Sequence, residues 1–359
     1  MKIVIFGLSV SSSWGNGHAA LWRALIRALI KLGHNVVFFE RDVQYYAEHR
    51  DLLHLPVGGE LVLYHDWEDA QPRARIELAE ADVGMITSYC PDSEAANRLM
   101  QDIDGGLRCF YDLDTPVTLA RVDAGDEIDY LSADGLASFD LTLSYTGGSA
   151  LDALKTQLGA RRAFPIYGSV DPDLHYPVSP RREYSATMSY IGTYVPDRQR
   201  GLDRLFVAPA NALKDCRFVV AGAQYPQTLS WASNITQLHH LPPPEHPAFY
   251  SSSALTLNIT REAMAKRGWC PSGRLFEAAA CGAPILSDWF DGLDDFFQPT
   301  EEILVAHSTT DALQALMLDR PVLANIAKRA RERVFDEHTS IRRAAEMISA
   351  FEETAAGAA

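Results

Sequence analysis

Between Trp269 and Asp288 the chain reads WCPSGRLFEAAACGAPILSD, a stretch that joins an anion site to a solitary carboxylate. Ser272 stands where a helix cap is expected, ahead of a helix starting at Gly273. Gly282 supplies the left-handed closure that glycine adopts at least cost, and Pro284 stops the helix before a strand over 285–287. The amino end of such a helix presents unpaired N–H groups and about half a positive charge, which suits phosphate. Arg274 adds a bidentate donor in its first turn. One turn later Glu277 is alone among Leu275, Phe276 and three alanines. A carboxylate on so apolar a helix needs hydrogen-bonded partners or a polar cleft, and the two hydroxyls of a ribose match its two oxygens. Just upstream, LNITREAMAKRG carries Asn258, Thr260, Arg261, Lys266 and Arg267. It leaves the carboxyl end of a strand directly before the helix, which favours Arg261 as a phosphate contact over a solvated helix face.

A second set of candidates lies in the first third of the chain. The loop SVSSSWGNGHAA follows an apolar run at 2–8 and leads into a helix from about 18 to 32. Gly15 and Gly17 let the backbone approach a ligand, Asn16 lies between them, and His18 sits at the helix start, where the dipole favours the neutral base. His18 is thus a general-base candidate or a plain helix-start hydrogen bonder. Asp112 and Asp114 alternate on an extended segment and so face one side, where two close carboxylates push one pKa upward. Either serves as a base, binds hydroxyls or amines, or caps a loop. Ser88, Thr115, Tyr145 and Thr146 follow strands of the same kind.

Strand ends must hold these residues. Strand, loop, helix and strand over 2–39 form a βαβ unit with parallel strands. Runs at 83–87, 107–114 and 140–145 read as further short buried strands. The loops after them share one sheet edge, the edge at which open α/β sheets place ligands. Glu40 and Arg41 close the second strand, so one of them faces that edge. Residues 169–184, SVDPDLHYPVSPRREY, contain three prolines and no hydrophobic period, and read as a linker. The same grammar restarts beyond it, with strands at 188–191, 218–221 and 255–259, a turn-rich LPPPEHPAFY at 241–250, and helices at 310–319 and 322–352.

With 359 residues the chain is long enough for two domains, each with its own core. A net charge of −15 argues against nucleic acid or an anionic membrane as partner. Cys90, Cys109, Cys216, Cys270 and Cys281 are scattered and lack CxxC spacing, which fits core thiols in a reducing compartment and no structural zinc. No run approaches eighteen apolar residues, and MKIVIFGL is too short for a signal-peptide core, so a cytoplasmic location with no transmembrane segment is expected. The amphipathic, basic stretch at 20–32 reads as a helix covering a sheet rather than a membrane surface.

The run SGRLFEAAACGAPILSDWFDGLDDFF, with LNITREAM ahead and EEIL behind, resembles the nucleotide-diphosphate site of GT-B glycosyltransferases, and among them the CgeB-like (spore-maturation) branch. GNGH, FERDVQYYAEHRDL, YDLDTP, FDLTLSYTGG, SVDPD and YIGTYVPDRQ extend the resemblance over most of the chain. It implies an α/β GT-B fold of two Rossmann-like domains facing a central cleft. These would be an acceptor domain at 1–170, a nucleotide-sugar domain at 171–335, and a last helix at 336–359 crossing back to the first. The implied reaction moves a sugar from a nucleoside-diphosphate sugar to a small-molecule or saccharide acceptor, without metal or cofactor. In this picture Glu277 holds the donor ribose, and Arg198 or Arg200 matches the basic phosphate contacts, joining Arg261, Ser272, Gly273 and Arg274. The nucleobase lies against the proline-rich turn. His18 matches a loop on which several inverting members keep their base, with Asp112 and Asp114 as the other catalytic candidates. Gly15, Asn16, Gly17, Trp269, Asp288, Asp291 and Gly292 fall to the donor sugar or acceptor. Retaining members carry a glutamate eight positions before Glu277, where this chain has Trp269. Inverting and retaining chemistry therefore both stay open, as do an epimerase and a non-catalytic binding protein. The sequence leaves the base, the sugar, the acceptor and the oligomeric state undecided.

Overall fold

The computed structural model describes residues 1–229 and 231–357. Their contacts divide the chain into two compact units, Met1–Tyr167 together with the chain from Ser340 onward, and Gly168–Thr339.

The first unit is built on seven strands: β1 Lys2–Gly7, β2 Asn35–Arg41, β3 Gly59–Tyr64, β4 Val83–Thr87, β5 Leu107–Asp112, β6 Leu141–Ser144 and β7 Ala163–Pro165. All pair in parallel, in the order β3-β2-β1-β4-β5-β6-β7. The unbroken apolar run of β1 is a strand buried on both faces. Ile3 and Ile5 pack with Trp22, Leu25 and Phe38 on one side, while Val4 and Phe6 pack with Phe39, Ile86 and Phe110 on the other. The helix Gly17–Lys31 covers the first of these faces with Trp22, Leu25, Ile26 and Leu29. The stretch expected to be helical over 322–352 is two helices, Arg320–Glu337 and Ser340–Ala356. The second returns to the first unit and adds Ala344, Met347, Ala350 and Phe351 to the same core cluster. The helix continues through Ala356, while residues 358 and 359 lie outside the described part.

The second unit carries β8 Met188–Ile191, β9 Phe218–Ala221, β10 Ile235–Leu238, β11 Thr256–Asn258, β12 Ile285–Ser287 and β13 Leu304–Val305. These too are all parallel, in the order β10-β9-β8-β11-β12-β13. Met188, Tyr190, Leu257 and Leu286 meet Leu205, Phe206 and Phe218 in its core. Both units are thus doubly wound, Rossmann-like sheets. Each reverses strand order once, between β1 and β4 in the first and between β8 and β11 in the second.

One buried side chain fixes the loop after β1. Glu40, near the end of β2 and fully buried, accepts hydrogen bonds from the N–H groups of Val10 (2.7 Å) and Ser11 (2.9 Å) and from the hydroxyls of Ser9 (3.0 Å) and Ser11 (2.5 Å). It therefore faces its neighbour loop rather than a ligand, and Arg41 pairs with Asp92 at 3.2 Å. Glu40→Gln replaces one of the two acceptor oxygens, each taking two of these bonds, with an NH2 that opposes its donors. Urea unfolding of this variant is expected to show a loss of about 2–4 kcal/mol; a loss below about 0.5 kcal/mol, the range of ordinary surface changes, would remove Glu40 as the anchor of this loop.

Candidate functional site

In the second unit the strand order reverses between β8 and β11, so the loops leaving their carboxyl ends part and open a crevice. Three arginines come to it from different elements. Arg274, in the first turn of the helix Gly273–Ala280, lies over the Tyr190 ring at 5.1 Å. Its Nε donates to the Ile191 carbonyl and its Nη1 to Asn258 Oδ1 at 2.7 Å, so it ties the end of β8 to the end of β11. Gly192 keeps this corner open, because a Cβ there would fall 2.9 Å from both Arg274 Nη2 and Tyr190 Oη. Arg261 pairs through Nε with Asp197 Oδ2 at 3.2 Å. Arg198, on the helix Pro196–Leu202, has a buried Nε with no hydrogen-bond partner. Burial first, and then the like charges of Arg274 and Arg261, draw its pKa below the usual arginine value. Arg200 is exposed, which leaves Arg198 as the member of that pair brought into the cluster. Three crowded cations, of which Arg261 alone has an ion pair with Asp197, call for an anion.

The adjoining helix differs from expectation at its cap. The Ser272 side chain makes no capping bond; its carbonyl accepts the Leu275 N–H at 3.0 Å instead. Serine is extended at this position, and nothing lies within 4 Å of where a Cβ on Gly273 would project. Gly282 ends the helix with φ of 72°. Glu277 accepts a hydrogen bond from Tyr250 Oη at 3.2 Å, and His246 Nδ1 stands 3.7 Å from the same oxygen. Burial alone would raise its pKa, but the His246 hydrogen bond, the positive charge available on His175 and His246, and the Tyr250 hydroxyl hold it at about 2. Burial lowers the His175 pKa, so near neutrality that ring is uncharged and His246 and Tyr250 remain the carboxylate's partners. Glu277 is therefore an ionised acceptor one helical turn from Arg274.

Trp269 is held in place by its own segment. It adopts a left-handed φ of 43°, donates its N–H to the Asp291 carbonyl at 2.6 Å and its indole N–H to Asp295 at 2.5 Å. Its ring covers Gly292 so closely that a Cβ there would lie 2.6 Å from ring atoms. Asp291 also accepts from the Trp289 indole at 3.4 Å. Asp288 accepts the Thr260 N–H at 3.0 Å and its hydroxyl at 2.8 Å, and so secures the loop after β11. Burial raises its pKa.

In the first unit the loops after β1, β4 and β5 converge at the other order reversal. Asn16 caps the helix Gly17–Lys31 by accepting the His18 N–H at 3.1 Å, and its amide donates to the carbonyls of Ser9 and Ser12. Its side chain positions the loop; Gly15 takes φ of 62° in the turn, and a Cβ on Gly17 would meet only open space. His18 Nε2 lies 3.7 Å from Asp114 Oδ2, and its ring stacks on Tyr89 with centroids 5.9 Å apart. Tyr89 Oη donates to Asp114 at 2.9 Å from a backbone in the left-handed region, φ 65°. Such strain in a residue with a Cβ concentrates at ligand sites. Tyr89 follows the run 83–87 directly, yet its role depends on that backbone conformation, which composition does not announce.

The structure separates the two aspartates that were expected to share one face of an extended segment. β5 ends at Asp112, and Asp114 opens the helix Thr115–Ala124. Asp112 is fully buried, with one oxygen accepting the Asp114 N–H at 3.1 Å and Oδ2 without a partner. Its pKa is pushed up to about 6, chiefly by burial and only in lesser part by the Asp114 charge. Asp114 is consequently the carboxylate placed beside His18, and Asp112 lies beneath it.

Residues 198–349 match the model of a family described as glycosyl transferase-like. No curated protein matches the chain. Among solved structures, a sucrose-phosphate synthase from Thermosynechococcus elongatus is similar over 99% of this chain and 100% of its own, with 15% identity and a TM-score of 0.72. HepE from Anabaena, in complex with UDP and glucose, is similar over 98% and 100%, with 12% identity and a TM-score of 0.68. An alpha-glucosyltransferase in complex with UDP is similar over 98% and 100%, with 14% identity and a TM-score of 0.70. The fold is GT-B. No helix among the described residues is long and apolar enough to cross a membrane.

The raised Asp112 pKa carries a sign that can be checked. Its ionisation opposes folding, so the stability it contributes is complete below about pH 4 and is lost as pH rises through about 6. Asp112→Asn, which keeps an acceptor for the Asp114 N–H, is expected to match the wild type in urea unfolding at pH 4. At pH 8 it should exceed the wild type by up to about 3 kcal/mol. An equal difference at both pH values would mean that this carboxyl titrates normally.

Proposed function

We propose that this protein is a glycosyltransferase that takes a sugar from a nucleoside-diphosphate sugar and transfers it to a hydroxyl- or amine-bearing small molecule or saccharide. The observation that carries this reading is the crowding of Arg198, Arg261 and Arg274, the last of them one helical turn from the ionised, hydrogen-bonded Glu277. The arginines neutralise the diphosphate as it leaves, so the transfer step needs no divalent ion for charge stabilisation. Glu277 accepts the ribose hydroxyls. The nucleotides named with two of the similar structures are UDP, which makes a uracil nucleotide the first donor to try and a hexose the first sugar. In the first unit His18, oriented by Asp114 and stacked on Tyr89, takes the proton of the acceptor if the reaction inverts configuration. The five cysteines are free and four of them are buried, in keeping with work in a reducing, cytoplasmic setting. The CgeB-like branch remains the sub-family proposed on the sequence motifs.

Thermal unfolding against UDP, TDP, GDP, ADP and CMP tests the donor site. A nucleotide at a hundred times its dissociation constant should add roughly 3 kcal/mol, and the gain should vanish in Glu277→Ala and shrink in Arg198→Ala. Stabilisation by no nucleotide at all would overturn the proposal. Turnover is read as diphosphate release from the matching sugar nucleotide in the presence of an acceptor mixture. His18→Ala is expected to keep nucleotide binding and lose about 100- to 10,000-fold in rate; unchanged turnover would exclude His18 as the base.

A further inference from the structure

We infer that His175, His246 and Glu277 form a binding site for a divalent cation of the zinc type, held by two imidazole nitrogens and one carboxylate oxygen. One potential ligand atom from each residue lies within 4.8 Å of the others, and His246 Nδ1 and Glu277 Oε2 are 3.7 Å apart. That separation is close to the edge of a tetrahedron with metal–ligand bonds of about 2.0–2.2 Å. Three protein ligands would leave a fourth position to water.

Two features of the surroundings favour a metal over a purely internal cluster. The first is His175. Both of its ring nitrogens are shut off from solvent, and neither makes a hydrogen bond, a costly state for a polar ring that a bound cation relieves. Its backbone is fixed nearby, since the His175 N–H donates to the Asp171 carbonyl at 2.9 Å. The second is the orientation of His246. Its Nε2 sits 3.3 Å from the Leu241 carbonyl. With the proton on Nε2, that carbonyl fixes the tautomer, and the Nδ1 lone pair is directed towards a carboxylate. Facing each other at this distance, the two groups share either a second ring proton or a metal cation. A backbone carbonyl behind a histidine and a tyrosine hydroxyl behind a carboxylate, here Tyr250 Oη at 3.2 Å, are also the usual outer partners of metal ligands. Two nitrogens and one oxygen suit Zn²⁺ and Co²⁺ and do not suit Mg²⁺ or Ca²⁺, which take oxygen cages.

The site shares Glu277 with the ribose contact proposed above, and its regulatory consequence rests on that reading: the cation and the nucleotide exclude each other, so zinc inhibits by competition. The metal site itself does not depend on it. Titration of the chelator-treated full-length protein with Co²⁺ alone should give the intense visible bands of a four-coordinate ion at one equivalent, and Zn²⁺ should displace it. His175→Ala and His246→Gln should each weaken binding by more than about 100-fold, beyond what loss of an outer partner causes. His54→Ala, at an exposed histidine of the first unit, should leave binding unchanged. Near-ultraviolet circular dichroism checks that each variant is folded. No stoichiometric binding, or binding that survives in both folded variants, would overturn the inference. Nucleotide affinity, measured in parallel, should fall with added Zn²⁺ in the wild type and be insensitive to it in His175→Ala. Nucleotide binding without metal binding sinks the metal site alone. Metal binding without nucleotide binding sinks the proposed donor site alone.

Discussion

Every strand in both sheets runs parallel to its neighbours, and this places the ends of all strands in a sheet on one edge. A parallel pair cannot be closed by a tight turn, so each connection crosses a face and the next loop returns to the same edge. Where the winding changes direction, two adjacent loops must leave in opposite senses and cannot cover one another. In the first unit those loops carry His18 and Tyr89; in the second they carry Arg198 and Arg261. Residues far apart in sequence therefore meet without special packing. Gly192 and Glu40 then adjust the meeting, one by lacking a side chain and the other by binding the adjacent loop.

A half-buried and a buried carboxylate, Glu277 and Asp112, show how the environment assigns roles to one chemical group. Glu277 has a phenol and an imidazole directed at it, so its charged form is the comfortable one. Asp112 has one bare oxygen, and burial prevails over the hydrogen bonds made to the other. The first is suited to accepting hydroxyl protons in hydrogen bonds, the second to shaping the loop on which Asp114 rides. In the second unit positive charge is crowded; in the first a histidine–carboxylate pair is kept close but not fully joined at 3.7 Å.

The sequence made the interior of each sheet legible and concealed its margins. β1, β2, β4, β5 and β6, and then β8, β9, β11 and β12, all appear as apolar runs because neighbours cover both of their faces. The four strands that escaped, β3, β7, β10 and β13, are the outermost in their sheets, and most of their residues are only partly buried. Arg274 and Glu277 could be singled out because glycine, proline and serine mark the ends of their helix. Tyr89, Tyr250, His246 and His175 could not, since their importance comes from contacts made across the fold. Ser272 shows the opposite failure, a residue of the right type at the right place whose hydroxyl does not form the bond its position suggests. Asp112 and Asp114 show how a strand that ends two residues early reassigns a pair.

The helix Ser340–Ala356 has a consequence for how the molecule comes into being. It supplies Ala344, Met347, Ala350 and Phe351 to a core otherwise made by residues before Tyr167. On the ribosome, domains generally fold in the order they emerge. Here the first unit to emerge must wait for the last helix, while Gly168–Thr339 is complete before it. The segment made second is thus free to fold first, and the first unit keeps part of an apolar face uncovered until residues 340–356 have been made.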